Sequence, residues 1–359
     1  MTSSRLRPVL RNLDSYRPGR RPAPGQADVA RLASNELPVP PDPGIAAAIS
    51  EGLVESNRYP DPVATELVGA LATRYGVAAP HVVVGCGSVQ LLQELIAATC
   101  DSGDEVVYGW RSFEAYPTLT RLAGATPRPV PLVAGHIDLE AVRRAVSART
   151  RLVILCSPNN PIGPTLSHAD VREFLLSLPG DVIVALDEAY AEYVRDPLAV
   201  EGVRLLEEFP NLVVLRTFSK AYGLAGLRVG YGLAADPAVA AALRQVHLPF
   251  AVSLPAQLGA LAALAAEDVM LVRVAGSVER RDALARGLRD AGWDVPEAQG
   301  NFVWLPAGVE SEALADRFCD AGVLTRCFDG EGVRVTVGTS SDNDRVLRIA
   351  SDWAGALSG

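Results

Sequence analysis

Lysine is almost absent from this sequence. Of 33 lysines and arginines in 359 residues, Lys220 is the only lysine. Histidine is scarce as well: four, scattered, at no spacing that would hold a metal ion. The five cysteines (Cys86, Cys100, Cys156, Cys319 and Cys327) are an odd number, far apart and without a C-x-x-C pair. That set excludes a disulfide scaffold and fits small core residues in a reduced, cytoplasmic setting. No apolar run is long enough to span a bilayer, and no secretory leader is readable. Positive charge is in deficit overall, with a net charge of −9. This argues against nucleic acid or an anionic membrane as partners, since both are held by basic patches.

The scarcity of lysine sharpens the meaning of the one that remains. An arginine supplies charge but never loses its proton, so it cannot act as an amine nucleophile; a lysine can form an imine with a carbonyl compound. The apolar run 212–215 predicts a buried strand, and Arg216-Thr217-Phe218-Ser219-Lys220 puts the lysine just past its carboxyl end. Open α/β sheets bind their ligands at that edge. Thr217 and Ser219 bring hydroxyls, and Arg228 brings a fork of N–H donors eight residues on. Hydroxyls and a guanidinium suit a phosphate group. An imine-forming lysine beside a phosphate clamp describes a site for pyridoxal 5'-phosphate.

At this length the chain can bury a large core and form two domains. Residues 1–30, rich in Arg, Pro and Gly, read as an extended arm. Residues 44–56 are expected to be helical, ended by Asn57-Arg58-Tyr59-Pro60-Asp61. Residues 82–84 predict a strand, Gly85-Cys86-Gly87-Ser88 the turn after it, and 89–99 a helix. That helix start aims backbone N–H groups and the positive end of the helix dipole at an anion, at Gly87, Ser88 and Val89. Further apolar stretches at 105–108, 130, 153–155 and 182–186 continue a strand-then-helix alternation. This pattern predicts a mostly parallel, doubly wound sheet. After Tyr231 the chain turns to Ala/Leu-rich helices over 236–290. Short strands are then expected at 293–295, 301–305, 323–326 and 333–337, with a helix near 311–321. The resulting division is an arm over 1–30, a large domain over 31–240 and a small α+β domain over 241–359.

Several motifs, in order along nearly the whole chain, resemble one family. Ser219-Lys220-Ala221-Tyr222-Gly223-Leu224-Ala225-Gly226-Leu227-Arg228-Val229-Gly230-Tyr231 resembles the lysine signature of class I/II aminotransferases of fold type I. Leu32-Ala33-Ser34-Asn35-Glu36 resembles the entry motif of its histidinol-phosphate branch. Ser157-Pro158-Asn159-Asn160-Pro161-Ile162-Gly163 is similar to another of its loops, with Ile162 in place of the usual threonine. The resemblance implies a seven-stranded sheet and pyridoxal 5'-phosphate as cofactor, with Lys220 as the imine former and proton carrier. It implies that Asp187 pairs with the pyridine nitrogen and that Asn160 and Tyr190 donate to the phenolic oxygen. It places Phe113 on the ring face and Gly87, Ser88, Val89, Thr217, Ser219 and Arg228 on the phosphate. Tyr59 is implied to reach the phosphate of a second subunit, in a homodimer. Arg334, Arg326, Tyr16, Asn35 and Asn160 are implied to line the substrate.

The segment Trp110-Arg111-Ser112-Phe113-Glu114-Ala115-Tyr116-Pro117 is similar to actinobacterial aromatic, or phenylalanine, aminotransferases. The expectation is transfer of an amino group from an aromatic amino acid to 2-oxoglutarate by a ping-pong mechanism. The alternative is a histidinol-phosphate aminotransferase, which two arginines near the substrate would suit. A regulator that uses this fold to sense a ligand would carry a helix-turn-helix domain ahead of it, for which the arm is too short.

Overall fold

The structure is a computed structural model that describes residues 7–13 and 28–358. Tyr16 lies outside the described residues.

In chain order the elements are β1 (Ala30–Arg31), α1 (Pro43–Val54), α2 (Thr65–Tyr75), β2 (Val82–Gly85), α3 (Ser88–Thr99), β3 (Glu105–Trp110), α4 (Ala115–Ala123), β4 (Thr126–Pro131), α5 (Leu139–Ala145) and β5 (Thr150–Cys156). Next come α6 (His168–Ser177), β6 (Ile183–Asp187), β7 (Leu212–Thr217), β8 (Gly230–Ala234), α7 (Pro237–Val246), α8 (Leu254–Ala265) and α9 (Glu267–Asp290). The last are β9 (Phe302–Leu305), α10 (Ser311–Asp320), β10 (Val323–Leu324), β11 (Arg326–Phe328), β12 (Gly332–Thr336) and α11 (Ser340–Ser358).

Seven strands make the central sheet, in the order β2-β8-β7-β6-β5-β3-β4. The pairs from β7 to β4 are parallel, and only β8 runs against its neighbours β2 and β7. Side chains alternate along each strand with a period of two. Val107, Val153, Leu155, Val184, Leu186 and Val214 therefore enter one core, with Leu67, Leu71, Val171, Phe174 and Ala260 from α2, α6 and α8. Val106, Tyr108, Ile154, Ala185, Val213 and Leu215 enter the other, against Leu91, Leu95, Tyr116 and Leu243 from α3, α4 and α7. Both faces are covered, which is why the strands read as unbroken apolar runs rather than alternating ones.

A second body is built on the antiparallel sheet β11-β12-β9. Its core joins Leu284, Leu288, Leu305, Leu314, Phe318, Val333, Val335 and Val346, with Ala30 and Leu32 from the start of the described chain. Those two arrive because β1 pairs in parallel with β10. Helix α9 ties the bodies together: Met270, Val274 and Val278 pack in the larger core, and Leu284 and Leu288 in the smaller.

Two local expectations are corrected. Residues 293–295 are not a strand. The Trp293 and Val295 amides donate to Leu288 and Trp293, and the Trp293 indole donates to the Ala350 carbonyl, so local bonds take the groups that a ladder needs. The stretch 323–326 is not one strand but two. It changes partner at Thr325, from β1 to β12.

Candidate active site

The central strands end together at one edge, and the chemistry follows their carboxyl ends: Asp187 closes β6, and the Ser219-Lys220 turn follows β7. The Lys220 ammonium donates to the carbonyls of Ser34 (3.0 Å) and Asn35 (3.3 Å) and lies 5.9 Å from the centre of the Tyr190 ring. Burial, then the positive charges of Arg334 and Arg228, lower its pKa from the ordinary 10.5 to about 7, against a smaller opposing pull from Glu36 and Asp187. An amine in this setting is largely neutral just above neutral pH, the condition for acting as nucleophile or base.

Asp187 sits opposite in charge and is the more deeply buried of the two. Burial raises its carboxyl to about 6, although hydrogen bonds from Tyr116 and from the Ala189 amide pull the other way. Tyr116 donates to Oδ2 over 2.8 Å, while Oδ1 is buried without a hydrogen-bond partner. A carboxylate oxygen so placed is costly to leave unmatched and suits a protonated nitrogen.

Around the lysine runs a hydrogen-bonded floor. Asn35, in the left-handed region (φ 54°) that asparagine tolerates, donates from Nδ2 to the Tyr190 hydroxyl at 2.9 Å. Its amide N–H donates to Thr336 Oγ1, which in turn donates to Asn35 Oδ1. Arg334, on β12, donates to Asn160 Oδ1 and to the Ala33 carbonyl, both at 2.6 Å. Asn159, beside Asn160, anchors the loop to β3's end by donating to the Arg111 carbonyl at 3.0 Å, and it accepts from the Ser112 hydroxyl. Tyr190 stands edge-on to Phe302, and burial pushes its hydroxyl up to about 12.

An anion cradle lies at the start of α3. Gly87 precedes the helix with φ 79°, and no side chain caps the first-turn amides. Across from them Arg228, itself left-handed at φ 56°, donates to Ser219 Oγ (3.3 Å) and the Ala225 carbonyl (3.0 Å). Thr217 and Ser219 join hydroxyls at 3.0 Å. A Cβ at Gly87 would stand 2.7 Å from Arg228 Nη2, and one at Gly230 would meet the Ser88 amide nitrogen at 2.5 Å. Glycine keeps this space open.

At the rim, Phe113 is half-buried and edge-on to Tyr116, with centroids 5.7 Å apart. Two ion pairs cross between the bodies. Arg111 binds Glu331, and Arg326 binds both oxygens of Glu114 at 2.8 and 3.0 Å. Tyr59 is away from this centre within one chain. It is 82% exposed and stacks on Phe250 at 4.5 Å. Among the expected residues, then, contacts join Lys220, Asn35 and Tyr190, Arg334 joins Asn160, the Asp187 charge acts on Lys220, Arg228 joins Ser219 in the cradle, and Arg326 lies opposite Arg334 on the neighbouring strand.

Sequence reasoning passed over Tyr116, Thr336 and Glu114. Tyr116 and Glu114 stood inside a quoted aromatic segment, but their partners lie 71 and 212 residues away, and no local pattern signals such a meeting. No group of three metal-ligating side chains occurs among the described residues.

Comparison with known proteins fits this geometry. A family model described as aminotransferase class I and II matches residues 27–349. The chain is 49% identical over 354 residues to an aromatic amino acid aminotransferase of Streptomyces coelicolor, covering 98% of each. It is 50% identical to the enzyme of that name from Thermobifida fusca, covering 97% of each. Among solved structures, the histidinol-phosphate aminotransferase of Sinorhizobium meliloti in complex with pyridoxal-5'-phosphate superposes with a TM-score of 0.88. That protein is 27% identical, and 99% of each chain is covered.

Proposed function

We propose, since the chain belongs to the class I and II aminotransferases, that it moves an amino group from an aromatic amino acid to 2-oxoglutarate by a ping-pong mechanism, as a cytoplasmic homodimer. The observation that carries this reading is the half-buried Lys220, the chain's only lysine, with its pKa lowered to about 7 near an aspartate with a bare oxygen. The residues fit pyridoxal 5'-phosphate. The unmatched Asp187 Oδ1 suits a ring nitrogen that carries a proton, and the α3 start beside Arg228, where Gly87 leaves no Cβ, suits a phosphate. When bound, that cofactor supplies the carbonyl carbon and the electron-accepting ring.

The chain's own residues supply the rest. Lys220 Nζ, released from its carbonyl contacts with Ser34 and Asn35, would take the proton from the substrate Cα and deliver it to the carbon beyond the amino nitrogen, the one that the cofactor's carbonyl supplies. Asp187 would hold a proton on the ring nitrogen by its charge. Tyr190 and Asn160 would donate to the phenolic oxygen, Arg334 would offer its planar fork to the substrate carboxylate, and Phe113 would cover the ring face. The floor of Asn35, Thr336 and Asn301 fixes the Ser34-Asn35 backbone, since Asn301 Nδ2 donates to the Asn35 carbonyl at 3.1 Å. The dimer reading rests on Tyr59 and Phe250 with Leu53, Val54 and Leu248, an exposed apolar group near the Arg58-Tyr59-Pro60 turn.

The deciding experiment is a panel of amino donors against 2-oxoglutarate. Phenylalanine and tyrosine are expected to lead, and a preference of more than about tenfold for histidinol phosphate overturns the substrate reading. Purified protein should be yellow, borohydride should fix the label on a peptide containing Lys220, and Lys220→Arg should abolish the absorbance. A label on any other peptide overturns the role of Lys220.

A further inference from the structure

We infer that Glu114 is a specificity-determining residue, which keeps the Arg326 guanidinium from anionic substrate side chains; the inference rests on the aminotransferase reading above. Arg326 and Arg334 face each other in register on the antiparallel strands β11 and β12. Directly opposed residues of such a pair project to the same face, and two like charges there repel. The two arginines also lie over one ring, that of Phe328, at 5.8 and 5.9 Å. They form a double cationic site, yet their partners differ in kind.

Arg334 donates to the Asn160 amide oxygen and the Ala33 carbonyl. Arg326 donates to a carboxylate. Its Nη2 reaches both Glu114 oxygens, at 3.0 and 2.8 Å, and its Nε reaches Oε2 at 3.2 Å. That Nε–Nη2 edge is the one that binds a phosphate or a carboxylate in bidentate fashion. Glu114 follows Phe113 and leads into α4, and its carboxylate is partly exposed where it meets Arg326, the strand partner of Arg334. It occupies the arginine edge and cancels its charge.

The consequence is a second cationic position whose charge Glu114 already neutralises. A flat apolar side chain meets no unpaired cation there, and the rings of Phe113, Phe328 and Trp304 line the neighbourhood, with Trp304 and Phe328 edge-on at 5.4 Å. A phosphate must displace Glu114 and then face it as a like charge. A distal carboxylate meets the same barrier, which weakens binding of dicarboxylic ligands. Arg111 lies over the same Phe328 ring at 5.6 Å, but it is paired with Glu331 and stacked at 4.4 Å on Trp110 and does not compete for Glu114.

The test uses the cofactor-loaded enzyme and single-turnover half-reactions, so the amino acceptor plays no part. In Glu114→Gln, the kcat/KM ratio of histidinol phosphate to phenylalanine should rise at least about tenfold, and glutarate should inhibit at least about fivefold more tightly. Glu114→Asp should hold the ratio within about threefold of the parent, because the charge remains. Adding Arg326→Gln to Glu114→Gln should remove both gains, which a loss of mere structural support would not produce. Unchanged ratio and unchanged glutarate inhibition in Glu114→Gln, with phenylalanine still accepted, overturn this inference and leave the aminotransferase reading standing. A wild-type enzyme that accepts neither donor overturns the reading itself.

Discussion

Tyr116 donates its hydroxyl to Oδ2 of Asp187 and leaves Oδ1 of the same carboxylate buried without a partner. The tyrosine is fully enclosed, and its own ionisation lies well above the ordinary range because of burial and the adjacent charge. It therefore remains a donor at all working pH values. One oxygen is held, and the other is presented.

The cost of that carboxylate should be visible without cofactor. Unfolded, Asp187 titrates near 3.8; folded, burial raises it to about 6. The folded state thus binds the proton more tightly. The penalty is absent below the unfolded pKa, grows as pH rises between the two, and is full above the folded one. A shift of this size is on the order of 3 kcal/mol. Cofactor-free Asp187→Asn should melt above wild type at pH 7.5, with the advantage shrinking as pH falls through 6 toward 4. Melting curves that stay parallel across that window overturn the account.

Removing the Tyr116 hydroxyl should move the same titration. The hydrogen bond lowers the Asp187 pKa, so Tyr116→Phe raises it further. Cofactor binding requires the ionised form, and its affinity should fall away at a higher pH than in wild type as the solution is acidified. Cofactor Kd measured against pH reads this directly. A midpoint that does not move upward means Tyr116 only packs.

For Lys220 the sign is opposite. Burial lowers its pKa to about 7, so the reactive amine appears as pH rises through neutrality rather than near 10.5. The rate at which cofactor-free protein takes up pyridoxal 5'-phosphate should climb with a midpoint near 7 and level off above about 8. Arg334→Gln should shift that midpoint upward, because one of the charges that lowers it is gone. A wild-type midpoint above about 9 contradicts the burial argument.

Gly87→Ala tests the cradle. The new Cβ would sit 2.7 Å from Arg228 Nη2, at a φ of 79° that alanine rarely adopts. Strain of about 1–3 kcal/mol and displacement of the guanidinium should weaken cofactor binding roughly tenfold or more, while the protein still folds. Equilibrium dialysis against pyridoxal 5'-phosphate measures it. Wild-type affinity in this variant excludes a phosphate at that place.

The Tyr59 proposal is tested by mixing subunits. Lys220→Ala and Tyr59→Ala proteins should each be inactive. Statistical hybrids carry one intact site per mixed dimer, so about a quarter of the activity should return. No recovery after exchange has been verified by mass spectrometry places Tyr59 outside a shared site.

Much of the site is local in the chain, and for that reason it could be read early. Each of Asp187, the Ser219-Lys220 turn and the Gly87 helix start follows its own buried strand, and a strand covered on both faces announces itself as an apolar run. The rarity of lysine did the rest. The sequence by itself determined where the chain turns, which turns carry chemistry and which residue can be a nucleophile. These depend on side-chain period, on glycine at positive φ and on the identity of one amine. Tertiary structure alone decided the partners. Tyr116 meets Asp187 across 71 residues and Arg326 meets Glu114 across 212, because separate strands and helices end at one edge of the sheet. The same holds for β1, which joins β10 rather than the larger sheet, and for 293–295, where the Trp293 and Val295 amides donate to nearby carbonyls instead of a strand. Hydrogen-bond partners are chosen by distance in space, and distance in space is set only when both cores have closed.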